Sequence, residues 1–330
     1  MNRRNISVVT GASGFVGSHL VDYLLEKGDE VHCIVRKSSS LRWLEGKNVI
    51  IHDSGLFDKN KLNVILKDVD YLYHVAGVVK AKTEDGYFKG NVETTKNLLN
   101  SVLEVSPNIK RVLVVSSLTA SGPSKLDFPN NEDTPTNPIT NYGRSKVAQE
   151  ELVKKYMDKL PITIVRPPAI YGDRDTEIYL VFKTYKQGLM TLVGFNRKEL
   201  SIIYVKDLVR GIYLAATSEN SKGEIYFISS KEFYNWIQIG KVIKSAMGKG
   251  AINLRLPHFL VYIVATFAQF FAMFSSKPAT FNLEKARDFV QEAWTCDTTK
   301  AQKDLGFVEE YSLEKGMKAT IDWYKKEKWL

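Results

Sequence analysis

The sequence predicts an α/β protein, a Rossmann-type doubly wound parallel sheet followed by a smaller, mostly helical C-terminal lobe. Short β-branched runs alternate with helical patterns through the first half of the chain, as a parallel sheet with helices on both faces requires. A glycine-rich turn, Thr10-Gly11-Ala12-Ser13-Gly14-Phe15-Val16-Gly17, joins the first strand to the first helix. After Arg166 the alternation gives way to mainly helical periodicity.

The elements follow in order. The chain passes from Met1-Asn2-Arg3-Arg4 directly into the apolar run Ile6–Val9, which is too short for a signal-peptide core and ends in glycines. It reads as the start of strand Ile6–Thr10, with no secretion signal. Helix Phe15–Glu26 comes next, then strands Glu30–Val35 and Val49–His52, helix Lys61–Lys67, strand Tyr71–His74 and helix Val92–Val105. Strand Arg111–Ser116, helix Tyr142–Leu160 and strand Ile162–Arg166 complete the alternation. Val112–Val115 is unbroken apolar sequence, the mark of a strand covered on both faces. Beyond a polar loop at Gly172–Thr176 lie helices Ile178–Gln187, Asp207–Ser218 and Trp236–Met247, with a strand at Ile225–Ile228. No Gly/Ser/Pro-rich linker divides the chain. Residues 1–170 therefore read as a dinucleotide-binding core and 171–330 as a substrate lobe intimate with it, with 202–230 returning to the core. Gly306 has the position of a helix C-cap, and Leu313, Met317, Ile321 and Tyr324 form the stripe of a last helix.

Composition narrows the function classes. The 330 residues are 44% hydrophobic and 25% charged, ordinary for a protein with a large core. Cys33 and Cys296 are the only cysteines and lie far apart, which fits a reduced, cytoplasmic compartment and not a disulfide framework. No metal site is expected. The formal net charge is +9, but the lysines are spread along the chain and no basic run is interleaved with aromatics. A generally basic surface is the expectation, and nucleic acid is not an expected partner.

The glycine turn has the spacing that phosphate binding needs. Gly11 permits the tight turn, Gly14 lets a pyrophosphate approach the backbone, and Gly17 lets the helix pack close to the sheet. The free N–H groups and positive end of that helix face the phosphates. At the end of the second strand, an acidic residue would bond the ribose 2′-hydroxyl of NAD. Arg36-Lys37-Ser38 stands there instead, two cations and a hydroxyl suited to a 2′-phosphate. NADP is thus preferred, with NAD as the alternative.

Tyr142 and Lys146 are four residues apart at the start of a helix, so their side chains share a face. A free phenol is a poor base at neutral pH. A nearby ammonium and the helix N-terminus would both lower its pKa, letting Tyr142 exchange a proton with a carbinol or carbonyl. Ser117 follows an apolar strand and could hold the substrate oxygen beside it.

In this order the glycine turn, His74-Val75-Ala76-Gly77, Gly90-Asn91-Val92, Ser116-Ser117, Tyr142–Lys146 and Arg166–Gly172 resemble the extended short-chain dehydrogenases/reductases, which include the NAD-dependent epimerases and dehydratases. The resemblance implies Ser117, Tyr142 and Lys146 as the catalytic triad, with Lys146 also on the nicotinamide ribose. It implies that Gly11, Ser13, Gly14, Phe15, Val16 and Gly17 hold the cofactor, that Ala76 and Gly77 line it and that Pro167 sits near the carboxamide. It further implies that Asn91 supports proton relay, although Asn91 would also serve as a simple helix N-cap. The family usually has an Asp that meets adenine after the third strand; Gly55 falls there in this chain, and Leu56 is the expected contact.

The branch follows from absences. Ala169 and Leu200 stand where related nucleotide-sugar enzymes often have Asn and Arg, and Leu118-Thr119 replaces the acidic pair of sugar dehydratases. The chain looks more like the branch with 3β-hydroxysteroid dehydrogenases and dihydroflavonol reductases. The expected reaction is alcohol–ketone or alcohol–aldehyde interconversion on a fairly apolar small molecule. A nucleotide-sugar epimerase or reductase is the alternative, and a non-catalytic dinucleotide-binding regulator is the alternative of another class. Leu256–Ser276 contains no charged residue, and wound as a helix it aligns Phe259, Ile263, Phe267, Phe270 and Phe274 opposite Ala265, Ala268 and Ala272. Three readings stay open for 256–276: a pocket wall bordering the substrate cleft, a helix lying peripherally on a membrane surface, and a core or oligomer contact. A homodimer is left open with the last.

Overall fold

A computed structural model of the chain describes residues 3–274 and 281–330. The elements run β1 (Ile6–Thr10), α1 (Phe15–Glu26), β2 (Glu30–Ile34), β3 (Val49–His52), α2 (Lys59–Ile65), β4 (Tyr71–His74), α3 (Glu84–Phe88), α4 (Thr94–Val105), β5 (Arg111–Val115), α5 (Leu118–Ser121), α6 (Asn141–Lys154) and β6 (Ile162–Arg166). They continue with β7 (Ala169–Tyr171), α7 (Tyr179–Lys186), β8 (Leu189–Val193), β9 (Glu199–Leu200), β10 (Ile202–Tyr204), α8 (Val205–Thr217), β11 (Ile225–Phe227), α9 (Trp236–Met247), β12 (Ile252–Leu256), α10 (His258–Ala272), α11 (Leu283–Val290), β13 (Ala293–Trp294), α12 (Thr299–Leu305) and α13 (Leu313–Lys326).

Seven strands form one parallel sheet in the order β11-β6-β5-β4-β1-β2-β3. Alternate residues of each strand enter two cores. Val9, Leu113 and Val165 join Leu20 and Leu24 of α1 and Leu208 and Ile212 of α8 on one face. Val8, Val112 and Ile164 join Leu62 of α2, Leu98 and Val102 of α4 and Val153 of α6 on the other. This period-2 division between two apolar layers is why the strands read as continuous apolar runs. The strand order reverses between β1 and β4, and a ligand crevice belongs outside the carboxyl ends of such a pair.

Some boundaries differ from the sequence reading. The helix expected over Tyr142–Leu160 ends at Lys154, where the Lys155 N–H turns back to the Leu152 carbonyl and the Tyr156 N–H to that of Val153. The helix expected from Val92 begins at Thr94 and is preceded by a π-helical turn, Lys89–Glu93. The lobe also contains short strand pairs that no alternation announced: β10 with β7, β12 with β8 and β13 with β9. Its core gathers Phe182, Tyr185, Met190, Ile239, Ile243, Met317, Ile321 and Tyr324. Gly306 caps α12 in the left-handed conformation, with φ of 62°.

The helix in the uncharged run, α10, is attached along its alanine side. Val261 and Ala265 are buried against Ala286 of α11, while the phenylalanine side is exposed. Core packing of the aromatic face is therefore overturned. Ser275 and Ser276, at the end of the run, lie outside the described residues. Among the described residues no helix is long and apolar enough to cross a membrane.

Candidate active site

The glycine turn and the loop after β4 meet at the sheet's switch point. A Cβ on Gly11, whose φ is +69°, would lie 2.8 Å from the Ala76 Cα, so only glycine admits this contact. A Cβ on Gly17 would collide with the Gly11 carbonyl, which fixes how closely α1 meets the turn. Gly14 is different: it is exposed, and its missing Cβ would meet only the Gly11 carbonyl oxygen, at 3.2 Å. That open backbone at the start of α1 fits a phosphate group. Ser13, Phe15 and Val16 flank it, half-buried, with Phe15 set edge-on to His19 at 5.9 Å. Arg36 lies exposed just beyond β2, bridged through its backbone to Ser54. Leu56 is half-buried against the core under α2 and α4, and its carbonyl accepts from Asn97 Nδ2 at 3.0 Å.

A chain of buried polar groups supports this crevice. His74, at the end of β4, joins Thr10 Oγ1 through Nδ1 and Thr95 Oγ1 through Nε2, each at 2.8 Å. Thr10 Oγ1 accepts from the Ala76 N–H at 3.2 Å, so the strand ends and the loop after β4 are tied together. Burial lowers the His74 pKa to about 3, which keeps it neutral as both bonds require. Gln149 Nε2 donates to the same Thr95 oxygen at 2.7 Å, and Gln149 Oε1 accepts from Lys146 Nζ.

Helix α6 brings the reactive side chains in. Thr140 caps it by accepting from the Gly143 N–H. A Cβ on Gly143 would lie 2.6 Å from the Thr119 carbonyl oxygen, so glycine lets the first turn of α6 press against α5. Ser117 caps α5, and its Oγ accepts from Thr119 Oγ1 at 2.9 Å and lies beside the Tyr142 hydroxyl. Pro167 is buried beside them, its carbonyl accepting from the Leu118 N–H at 2.8 Å.

Lys146 is buried, with Nζ donating to the Val115 carbonyl at 2.8 Å and to Gln149. It would lie 3.9 Å from a Cβ on Gly77, so the missing side chain at 77 leaves its approach to the crevice clear. Burial lowers the Lys146 pKa to about 8, with the Glu150 carboxylate opposing. The expected lowering of Tyr142 by Lys146 is not what the geometry gives. Burial pushes the phenol up to about 12, with the neighbouring Ser117 hydroxyl opposing. The ammonium instead serves the Val115 and Gln149 oxygens.

Asn91 is not a helix cap. It sits in the π turn, fully buried, where Oδ1 accepts from the Val78 N–H at 2.6 Å and Nδ2 donates to Ser145 Oγ at 2.9 Å. Three partners escaped the sequence reading. Glu150 forms a buried, two-pronged pair with Arg166 at the end of β6 and accepts from Ser116 Oγ. Tyr87 of α3 packs its ring 6.3 Å from that of Tyr142. Glu284 of α11 accepts the Asn141 N–H at the start of α6. The Glu150 signal was present: Lys146, Gln149, Glu150 and Val153 share the buried face of α6, a polar stripe where a helix ordinarily puts apolar residues.

A switch-point crevice with open helix N–H groups and a Ser–Tyr pair beside it defines a Rossmann-type oxidoreductase site. The model of the NAD dependent epimerase/dehydratase family matches residues 7–229, and the chain belongs to that family. It is therefore an NAD(P)-dependent dehydrogenase, reductase or epimerase of the extended short-chain type. It is similar to the ceramide reductase of Caulobacter vibrioides, at 27% identity over 99% of this chain and 96% of that protein. It is equally similar to a 3-beta-hydroxysteroid dehydrogenase of Mycolicibacterium neoaurum, at 27% identity over 96% of this chain and 90% of that one. The crystal structure of UDP-glucuronic acid 4-epimerase from Bacillus cereus in complex with NAD shares the fold, with a TM-score of 0.80 at 22% identity over 98% and 99% of the two chains.

Proposed function

We propose that the protein interconverts an apolar alcohol and its ketone or aldehyde with a nicotinamide dinucleotide, NADP in preference to NAD, and that Ser117, Tyr142 and Lys146 are its reactive residues. The observation that carries this is Tyr142 set beside Ser117, with Lys146 of the same helix held at the end of β5 next to the crevice of Gly11 and Ala76. Gly11, Ser13, Gly14, Phe15, Val16 and Gly17 would hold the dinucleotide's phosphates, Arg36 its 2′-phosphate and Leu56 its adenine, with Ala76, Gly77 and Pro167 along it. When bound, the nicotinamide supplies or accepts hydride.

A phenol held near pKa 12 is protonated at neutral pH, so Tyr142 stands ready as the acid that gives its proton to a carbonyl oxygen. Ser117 Oγ holds that oxygen against the phenol. Lys146, with a pKa of about 8, keeps its charge near neutral pH and would hold the ribose next to the nicotinamide. Asn91 acts on Tyr142 indirectly, since Ser145 Oγ joins Asn91 Nδ2 to the Tyr142 carbonyl.

An apolar substrate is favoured by the positions where sugar-nucleotide relatives carry polar groups. Ala169 is exposed with no hydrogen-bonding side chain, and Leu200 packs against the lobe core. The two curated relatives named above act, by name, on a ceramide and a steroid. The test is oxidation of NADPH and NADH measured with long-chain ketones, steroid ketones and UDP-sugars. Turnover confined to the UDP-sugars would overturn the substrate class.

A further inference from the structure

The cations are spread along the chain, but the carboxylates are not. Residues 178–198 and 233–283 contain no Asp or Glu and nine Lys or Arg, which equals the whole formal excess of +9; elsewhere the signs balance. The excess is thus concentrated in these two segments, while the rest of the chain, summed together, is neutral. The two segments fold together, because β8 pairs with β12 and Tyr185 of α7 hydrogen-bonds to the Gly240 carbonyl of α9. Lys183, Lys186, Lys241, Lys244, Lys249 and Arg255 are exposed, and none forms an ion pair with a described residue.

The same part of the lobe, 178–198 with 233–283, carries most of the large apolar side chains exposed among the described residues. Fifteen of the twenty-three large apolar side chains exposed among the described residues belong to it. Nine are on or just after α10, where Phe259, Phe267, Phe271 and Phe274 are 61–79% exposed and no charged residue interrupts them. Isolated exposed apolar residues are ordinary; a contiguous aromatic ridge is a binding surface.

We propose that α10 and the exposed cations of its lobe form a docking face for an anionic lipid bilayer, the phenylalanines entering at headgroup level and the lysines meeting lipid phosphates. Aromatic rings favour that depth, and basic residues beside an apolar helix strengthen its hold on anionic lipid. The 15 residues of α10 fall short of the roughly 20 that span a bilayer, so the helix lies along the surface. A second copy is a poor occupant, because it would set two strongly cationic faces against each other. Nucleic acid would meet the lysines but leave the phenylalanine ridge in water. The face is one element away from the active site: α10 packs on α11, whose Glu284 holds the N–H next to Tyr142.

Flotation of the whole protein with vesicles tests this without substrate or cofactor, so the result is independent of the reaction proposed above. Phosphatidylcholine vesicles containing roughly 30% phosphatidylglycerol should carry the protein upward, and pure phosphatidylcholine or raised salt should carry much less. Phe267→Ser/Phe271→Ser should lower vesicle affinity about ten-fold or more at an unchanged melting temperature. Lys241→Gln/Lys244→Gln/Lys249→Gln should remove the preference for anionic vesicles, and it keeps the test alive if the phenylalanine variant does not fold. Wild-type protein that stays in the buffer fraction with anionic vesicles at low salt overturns the proposal. So does a wild-type dimer that the phenylalanine substitutions convert to monomer while vesicle binding is unaffected.

Discussion

Single side chains decide the chemistry here because burial outweighs neighbouring charge. Tyr142 is the case in point: its phenol is pushed up to about 12, and the ammonium four residues on is engaged elsewhere. Tyr142→Phe should lower turnover by roughly 10²–10⁴-fold while leaving dinucleotide affinity within about two-fold, measured by steady-state rates and fluorescence titration. Near-wild-type rates would remove the proton-transfer role. Arg36→Asp should weaken NADPH by one to two decades, about 1.5–3 kcal/mol for a charge-assisted bond, and affect NADH far less. His74 gives a pH signature. Its folded pKa is about 3 against an unfolded 6.5, so the unfolded chain takes up a proton that the folded chain refuses between those values. Stability is thus full above about pH 6.5 and lost as pH falls, by up to roughly 3 kcal/mol near pH 4. Asp175 and Asp288, raised to about 6, act with the opposite sign, so the His74 contribution is read by difference. Urea unfolding of His74→Gln should show a smaller acid loss than wild type over this window; equal losses would sink the assignment.

At the scale of elements, α6 is the hinge between scaffold and site. One face carries Tyr142 to Ser117, while Glu150, two turns further on, locks the helix to β6 through Arg166, with both side chains 2% exposed. Glu150→Gln leaves an uncompensated guanidinium in the core and should cost about 3–5 kcal/mol, seen as a lowered urea midpoint. It should also lower the Lys146 pKa further, since Glu150 is what props it up. A midpoint within error of wild type would show the pair to be dispensable. The same helix shows how much was legible in advance. The strands were readable because both their faces are apolar, and the Tyr142–Lys146 spacing announced a shared face. The short pairs of the lobe were not: β12 is largely exposed, so Asn253 and Arg255 gave no alternation against a core. The cap offered as an alternative for Asn91 fails because a π turn, which has no signal in side-chain type, stands there instead. The network of His74, Thr95 and Gln149 joins residues up to 75 positions apart, and its members are unremarkable one by one.

For the whole molecule, summed charge hid an arrangement. A chain-wide +9 fits a diffuse basic surface, yet the excess sits in two segments that share one lobe. Reading where carboxylates are missing, not where lysines are present, would have found it. Such a molecule is an electrical lever. In the field of a negative surface the two carboxylate-free segments would be drawn in ahead of the rest of the chain, so a torque would act before any contact is made. The effect is felt within about a Debye length, roughly 8 Å at physiological salt. On the proposed docking, collisions would be non-random in orientation: the protein would meet an anionic surface with α10 leading, and the rate of productive encounter would rise without any gain in the strength of the final grip.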